Sequence, residues 1–285
     1  MRGLLGSPGR RTVTATAEIE PGLYDIPAEL YHSDPVPGGS LSASGAKILA
    51  DCPARYGYLL DHPQPFKPAF EFGTAAHTVV LGDGPELVVV DADLWNTKEV
   101  KAKVAAIRSK GGIPLKQAAY QQICDMAEAL AADPEASEIL TPDSGAAEQS
   151  IFWTDGQIWW RSRFDWLRSD LIADYKTTTS VHPEKLSKTV YELRYHIQEH
   201  IYRRGAYELG LLPEGAAFKF IFQEKQPPYL VQVAELDPVA RYAGQRDTHL
   251  AAGRYLYGRE TGHWPGYSET STVISLPPYI ERQYA

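Results

Sequence analysis

The strongest constraint on this chain is the run from Glu148 to Thr178, where three strand-like segments follow one another almost without linkers: EQSIFWT, QIWWRSRFDWLR and DLIADYKTT. All three are rich in β-branched and aromatic residues, which suit a pleated, half-buried surface. Asp155-Gly156 between the first two is a hairpin signal, because both residues tolerate the backbone angles of a tight turn. A short turn through Arg168, Ser169 and Asp170 joins the second to the third. These segments are expected to form the centre of a sheet.

Helical patterns surround them. SLSASGAKILADCPARYGYLLD opens with serines suited to an N-cap and predicts one helix from roughly Ser42 to Leu60. After the Pro-rich loop HPQPFKP, the segment FEFGTAAHTVVLGD predicts a second helix carrying His77. LKQAAYQQICDMAEALAADPEASEIL has helical periodicity, as does LSKTVYELRYHIQEHIYRRGAYELGL, which Gly210 closes. AAFKFIFQEKQPPYLVQVAEL reads as another strand pair, and Pro238 to about Gly258 as a last helix. Residues 1–18, rich in Gly, Arg, Thr and Ala without apolar period, read as a flexible leader, and residues 19–285 as a single α/β domain.

Bulk properties bound the function. With 44% hydrophobic and 22% charged residues, the chain falls among ordinary globular proteins. No run approaches the roughly 18 apolar residues that cross a bilayer, and MRGLLGSPGRRT lacks the apolar region of a secretory signal, so a cytoplasmic protein with no membrane partner is expected. Two cysteines, Cys52 and Cys124, are too few for a disulfide framework or a four-cysteine metal site. A net charge of -8 argues against nonspecific coating of nucleic acid, which relies on many cations displacing counterions. Carboxylates that hold a divalent metal would add negative charge of their own. The basic stretch Lys98, Lys101, Lys103, Arg108, Lys110 and Lys116 reads as a solvated face, with contact to a phosphate backbone as the alternative.

The chemistry is concentrated in Arg163-Phe164-Asp165 and Asp174-Tyr175-Lys176, expected at the ends of adjacent strands. The turn between them can bring the two aspartates side by side, where they repel unless a cation lies between them, and hard oxygen ligands suit Mg2+ or Mn2+. Lys176, two positions after Asp174, shares its strand face. Such a cluster fits phosphodiester hydrolysis, with the metal polarising a phosphoryl oxygen and the ammonium offsetting developing charge. On spacing alone the same residues could merely end strands, with Lys176 paired to one aspartate.

The ordered set GTAAH, RFD, DYKT and QEHIY resembles the PD-(D/E)XK nuclease superfamily, and more narrowly its RecB-like branch and the RecE-type (exodeoxyribonuclease VIII-like) phage exonucleases. The segment CPARYGYLLD resembles the CP-x-x-Y stretch of many relatives' first helix. This resemblance implies a PD-(D/E)XK-like central mixed sheet flanked by the His77 helix and the Gln198 helix. It implies His77, Asp165 and Asp174 as metal ligands, and Asp165, Asp174 and Lys176 as the catalytic set. Gln198 and Tyr202, one helical turn apart, would touch DNA, orient the site or simply pack. Glu148, where several relatives carry an acidic residue, would stand at or near the metal, or be an exposed strand-edge carboxylate. The implied activity is Mg2+- or Mn2+-dependent exonucleolytic digestion of linear duplex DNA in a phage-type recombination system of a bacterial host. A single-strand annealing recombinase is the implied partner, and a homo-oligomer the implied assembly.

Two further readings remain: a nuclease-fold DNA-binding or assembly module without catalysis, and a nuclease acting on branched DNA or RNA. His196 and His200 have a zinc-compatible i, i+4 spacing, but without H-E-x-x-H they and His182 read as solvent- or DNA-facing. The tract HWPGY around Trp264 reads as tail packing.

Overall fold

The computed structural model describes residues 19–62, 71–92 and 94–284. The expected leader and Pro63 to Pro68 of the Pro-rich loop lie outside them. In chain order the elements are β1 (Gly22–Tyr24), α1 (Ala28–His32), β2 (Leu41–Ser42), α2 (Ala43–Asp51), α3 (Pro53–Asp61), α4 (Glu71–Leu81), β3 (Leu87–Val89), α5 (Lys98–Ser109), β4 (Ile113–Leu115), α6 (Gln117–Ala132), α7 (Pro134–Ile139), β5 (Gly145–Thr154), β6 (Trp159–Arg168), β7 (Leu171–Thr178), α8 (Pro183–Glu192), α9 (Tyr195–Glu208), β8 (Ala217–Glu224), β9 (Val231–Ala234), α10 (Pro238–Thr261) and α11 (Pro278–Glu281).

The three strands read from the sequence are β5, β6 and β7, the middle of a mixed sheet in the order β1-β5-β6-β7-β8-β9, with β2 pairing beside β6. Hairpins make β5, β6 and β7 antiparallel, whereas β7 and β8 are parallel because α8 and α9 carry the chain back between them. A separate pair, β3 with β4, is parallel and brackets α5.

Each face of the sheet is buried under helices. On one side Ile151, Trp160, Phe164, Ile172 and Phe220 pack with residues of α2, α9 and α10. On the other, Ala173, Tyr175 and Ile221 pack with Ala75 and Ala76 of α4 and Ile123 of α6. Strand β7 serves both layers by alternation: Ile172 enters the first, Leu171, Ala173 and Tyr175 the second.

Two expected helices are each divided. The first breaks at Cys52, which is extended (φ -151°, ψ 109°), because Pro53 has no amide hydrogen and disfavours helical geometry in the residue before it. The stretch after β7 breaks at Arg194, which takes left-handed angles (φ 51°, ψ 44°) while its guanidinium lies 3.5 Å from Asp51 and 3.7 Å from Asp247. That turn separates α8 from α9 and gives α9 its own direction toward the sheet.

Candidate active site

The site is built where strand β6 loses its neighbour. Among the described residues, β2 pairs with β6 only at Trp160 and Arg161, and β7 only at Trp166 and Leu167. On this edge β6 therefore runs from Ser162 to Asp165 without a ladder partner. Extending the register by one step sets Asp165 opposite Asp174 on one side and Glu148 opposite Asp165 on the other. Three carboxylates thus occupy one row across β5, β6 and β7. They stand inside the strands, at the point where pairing stops, rather than at the strand ends expected from the sequence. The β5–β6 ladder also skips this row, and Glu148 has φ +52°, an uncommon angle for a residue with a Cβ.

One half of the site is a metal-sized cluster. Ligand atoms of His77 on α4, Glu148 on β5 and Asp165 on β6 all lie within 4.8 Å of one another. His77 Nδ1 is 3.5 Å from Asp165 Oδ2, and its ring packs on Tyr175 with centroids 5.0 Å apart. Burial and the neighbouring Asp174 push the Asp165 carboxyl up to about 7. Burial, and then Asp165, also raise Glu148, against the opposing pull of Arg163, whose Nε lies 2.5 Å from Glu148 Oε2. Burial and the Lys176 charge lower His77 to about 4, so its imidazole is neutral at ordinary pH and can offer a lone pair. Two carboxylates held against their own repulsion beside a neutral imidazole fit a divalent cation, and the oxygen-rich set suits Mg2+ or Mn2+.

The other half is an ion pair sealed under α9. Asp174 is fully buried, and its Oδ2 contacts the Lys176 ammonium. Its Oδ1 accepts a hydrogen bond from Gln198 Nε2 at 2.6 Å. Burial opposes the Lys176 charge, but Asp174 and Asp165 outweigh it and hold the ammonium above the ordinary lysine value. Asp174 is therefore turned to Lys176 and Gln198 and is absent from the three-residue cluster, which includes Glu148 in its place. Gln198 thus reaches the site directly. Tyr202 instead packs edge-on against Phe164, centroids 5.4 Å apart, and is buried.

Sequence reasoning missed Lys47 on α2, whose Nζ donates to Gln198 Oε1 at 2.9 Å and lies 4.8 Å from the Tyr195 ring centroid. Burial and the nearby Lys176 lower Lys47 to about 7. Arg163, the first residue of the RFD string, also donates to Ile26 O and Ser150 Oγ at 2.8 Å each, which fixes the guanidinium that holds Glu148. No spacing rule links Lys47 to a strand more than a hundred positions away, so only the fold reveals it.

Other expectations change in place. His196 is buried, with Nε2 3.1 Å from Asp247 Oδ2, and His200 is half-buried, so neither faces solvent as expected. The helix α9 turns both into its contact with α10. His182 is exposed, as expected. Within the basic stretch, Arg108 makes a two-pronged pair with buried Glu71 at 2.6 and 2.9 Å, tying α5 to the start of the His77 helix. Lys98, Lys101, Lys103, Lys110 and Lys116 are exposed. Trp264 packs against Tyr56, centroids 5.2 Å apart, which is the tail packing expected.

Residues 42–277 match a family model described as a PDDEXK-like domain of unknown function (DUF3799). No curated protein matches the chain. Among solved structures, a Eubacterium rectale protein provisionally named an exonuclease is similar in fold, with a TM-score of 0.62, 14% identity, and coverage of 92% of this chain and 98% of that one. No helix among the described residues is long and apolar enough to cross a membrane.

Proposed function

We propose a nuclease function from one premise: the chain belongs to the DUF3799 family of PDDEXK-like domains. It hydrolyses phosphodiester bonds of DNA with a divalent metal, Mg2+ or Mn2+, held by His77, Glu148 and Asp165. The observation that carries this reading is the row Glu148, Asp165 and Asp174 across three strands, flanked by His77 on one side and Lys176 on the other. Carboxylates brought this close repel one another in the absence of a cation between them. When bound, the metal supplies Lewis-acid polarisation of the phosphoryl group and a more acidic water. Glu148 and Asp165 hold the cation, with Arg163 fixing Glu148 and the Tyr175 amide fixing Asp165. Lys176 stays charged through Asp174 and can offset negative charge that builds on the phosphate.

Within this reading, the activity is exonucleolytic on linear duplex, as in the RecE-type enzymes that the motif order resembles. The provisional name of the Eubacterium rectale neighbour points the same way. Action beside a single-strand annealing recombinase, in a homo-oligomer, belongs to the same resemblance. The test is incubation of the purified protein with end-labelled linear duplex, single-stranded DNA and RNA, each with Mg2+, Mn2+ or EDTA. Metal-dependent release of labelled product from duplex DNA is expected. A protein that binds DNA and cuts none of these substrates under any metal would be the silent module instead.

A further inference from the structure

Lys47 stands on the opposite side of Gln198 from Asp174. Its ammonium donates to Gln198 Oε1 at 2.9 Å, and Gln198 Nε2 donates to Asp174 Oδ1 at 2.6 Å. Lys47 Nζ donates to the amide oxygen, and an ionised carboxylate has acceptors only, so the amide between them serves both partners in this one orientation. Its oxygen must face Lys47 and its NH2 must face Asp174. Gln198 and Asp174 are both buried, so water cannot replace either partner. Tyr195 completes the arrangement. Lys47 Nζ and Lys176 Nζ lie 4.8 and 5.5 Å from its ring centroid. Two lysines thus converge on one aspartate, Lys176 directly and Lys47 through an amide.

We propose that Lys47 is a positioning residue of the active site: it fixes the Gln198 amide and thereby holds the Asp174 carboxylate on Lys176. Without the ammonium the amide can turn over, which would set its oxygen against the carboxylate and release Asp174 from its orientation. The role explains why a lysine is placed in α2, immediately after the short strand that pairs beside β6, at the site's open edge. It rests on the nuclease reading given above, since the aspartate it positions is assigned to that chemistry.

The experiment compares wild type, Lys47→Met, Lys47→Arg, Gln198→Leu and the Lys47→Met/Gln198→Leu double variant. Methionine keeps the apolar stem and removes only the charge and its hydrogen bonds. Hydrolysis of end-labelled duplex with Mg2+ gives kcat and KM separately. Lys47→Met is expected to lower kcat about tenfold to a hundredfold, the loss of a hydrogen bond to a buried polar group, with KM changed less than about twofold. Lys47→Arg should recover part of kcat. The double variant should be no slower than the slower single one, because both changes break the same chain.

Losses that multiply in the double variant, or a Lys47→Met effect confined to KM, would overturn the positioning role and make Lys47 a direct contact to the DNA backbone. Urea unfolding of the same proteins without DNA is read alongside. Non-additive destabilisation between Lys47→Met and Gln198→Leu supports the link, and additive destabilisation overturns it. A wild type that cuts no substrate would sink the nuclease reading alone, and the unfolding cycle would then decide whether Lys47 holds Gln198.

Discussion

The Asp165 carboxylate accepts a hydrogen bond from the Tyr175 backbone N–H at 2.8 Å, so a side chain of β6 joins β7 at the residue between Asp174 and Lys176. The backbone ladder between these strands has ended one row earlier. A parted pair of strands normally leaves an amide without a partner, which is costly when buried. Here the acid that would hold the metal satisfies that amide. The two halves of the site, the His77–Glu148–Asp165 cluster and the Asp174–Lys176 pair, are thereby fixed to one another through a single peptide unit.

Asp174→Asn and Lys176→Ala should each reduce hydrolysis at least a hundredfold, about the effect of removing one group that stabilises transition-state charge. Lys176→Ala removes the cation from a buried carboxylate that Gln198 alone would then contact, so it should also lower stability. Asp174→Asn keeps the shape and should leave the circular dichroism of the wild type. The check is single-turnover cutting at saturating metal beside urea unfolding. Near wild-type cutting by either variant would remove the assignment.

The electrostatics of Asp165 predict a specific pH response of the metal-free protein. Unfolded, its carboxyl titrates near the ordinary aspartate value of about 3.9; folded, it is pushed up to about 7 by burial and by Asp174. The folded state therefore holds the proton more tightly, and the stability this contributes is present below the unfolded value and is lost as pH rises through 7. In EDTA, wild type should lose stability between pH 5 and pH 8 relative to Asp165→Asn. With Mn2+ the order should reverse at pH 8, because the cation binds the ionised native site. Metal affinity should weaken below about pH 7, where a proton competes for Asp165. The native His77 is already neutral across this range and should add no step to metal affinity. Its unfolded imidazole still titrates near the ordinary value of about 6.5, which raises stability as pH climbs, and this contribution is common to wild type and Asp165→Asn and cancels in their comparison. Parallel pH profiles for wild type and Asp165→Asn would refute the account.

Most of the sheet was legible because its signals are local. The aromatic and β-branched alternation of residues 148–178, with Asp155-Gly156 and the Arg168 to Asp170 turn, is enough to specify β5, β6 and β7. Asp174 and Lys176 share a face by the period of two, and the structure keeps them in contact. What the sequence hid was non-local or geometric. β6 parts from β7 beyond Trp166 and takes β2 instead at Trp160 and Arg161, a change of neighbour that no propensity reveals. Glu148 joins His77 because of one left-handed backbone angle, and Lys47 because α2 and α9 are packed together. The helix breaks at Cys52 and Arg194 differ in kind. Pro53 announces the first, whereas the second depends on Asp51 and Asp247, both distant in sequence.

The placement of α9 rests on a close approach that a methyl group would disturb. A Cβ on Gly244 of α10 would lie 2.2 Å from the His196 carbonyl oxygen and 3.4 Å from His200 Cβ. Gly244→Ala should therefore destabilise the protein by about 1–3 kcal/mol, as overpacking does. It should also reduce cutting, because α9 carries Gln198. Gly253→Ala on the same helix meets nothing within 4 Å and serves as the control. It should be neutral or stabilising by about 1 kcal/mol through helix propensity. Equal urea midpoints for the two variants would contradict the packing argument.

The last prediction concerns how DNA enters. With 28 Lys and Arg against 36 Asp and Glu, the chain carries a net charge of -8, and prolonged nonspecific residence on duplex DNA is disfavoured without extensive counterion release. A progressive enzyme of this charge needs another means of retention, and holding a strand end or enclosing the duplex within an assembly would supply one. The exposed lysines from Lys98 to Lys116 lie on and beside α5, which Arg108 and Glu71 tie to the helix carrying His77. They could guide the backbone toward the site without strong binding. Linear duplex should accordingly be degraded progressively with Mg2+, nicked circles slowly, and covalently closed circles of the same sequence not at all. Lys98→Ala with Lys101→Ala should lower the number of nucleotides removed per encounter and reduce the salt sensitivity of that number, while sparing the rate of the first cut. Rapid cutting of closed circles would make the protein an endonuclease. In that case the metal chemistry of His77, Glu148 and Asp165 would stand and the end-entry argument would fall.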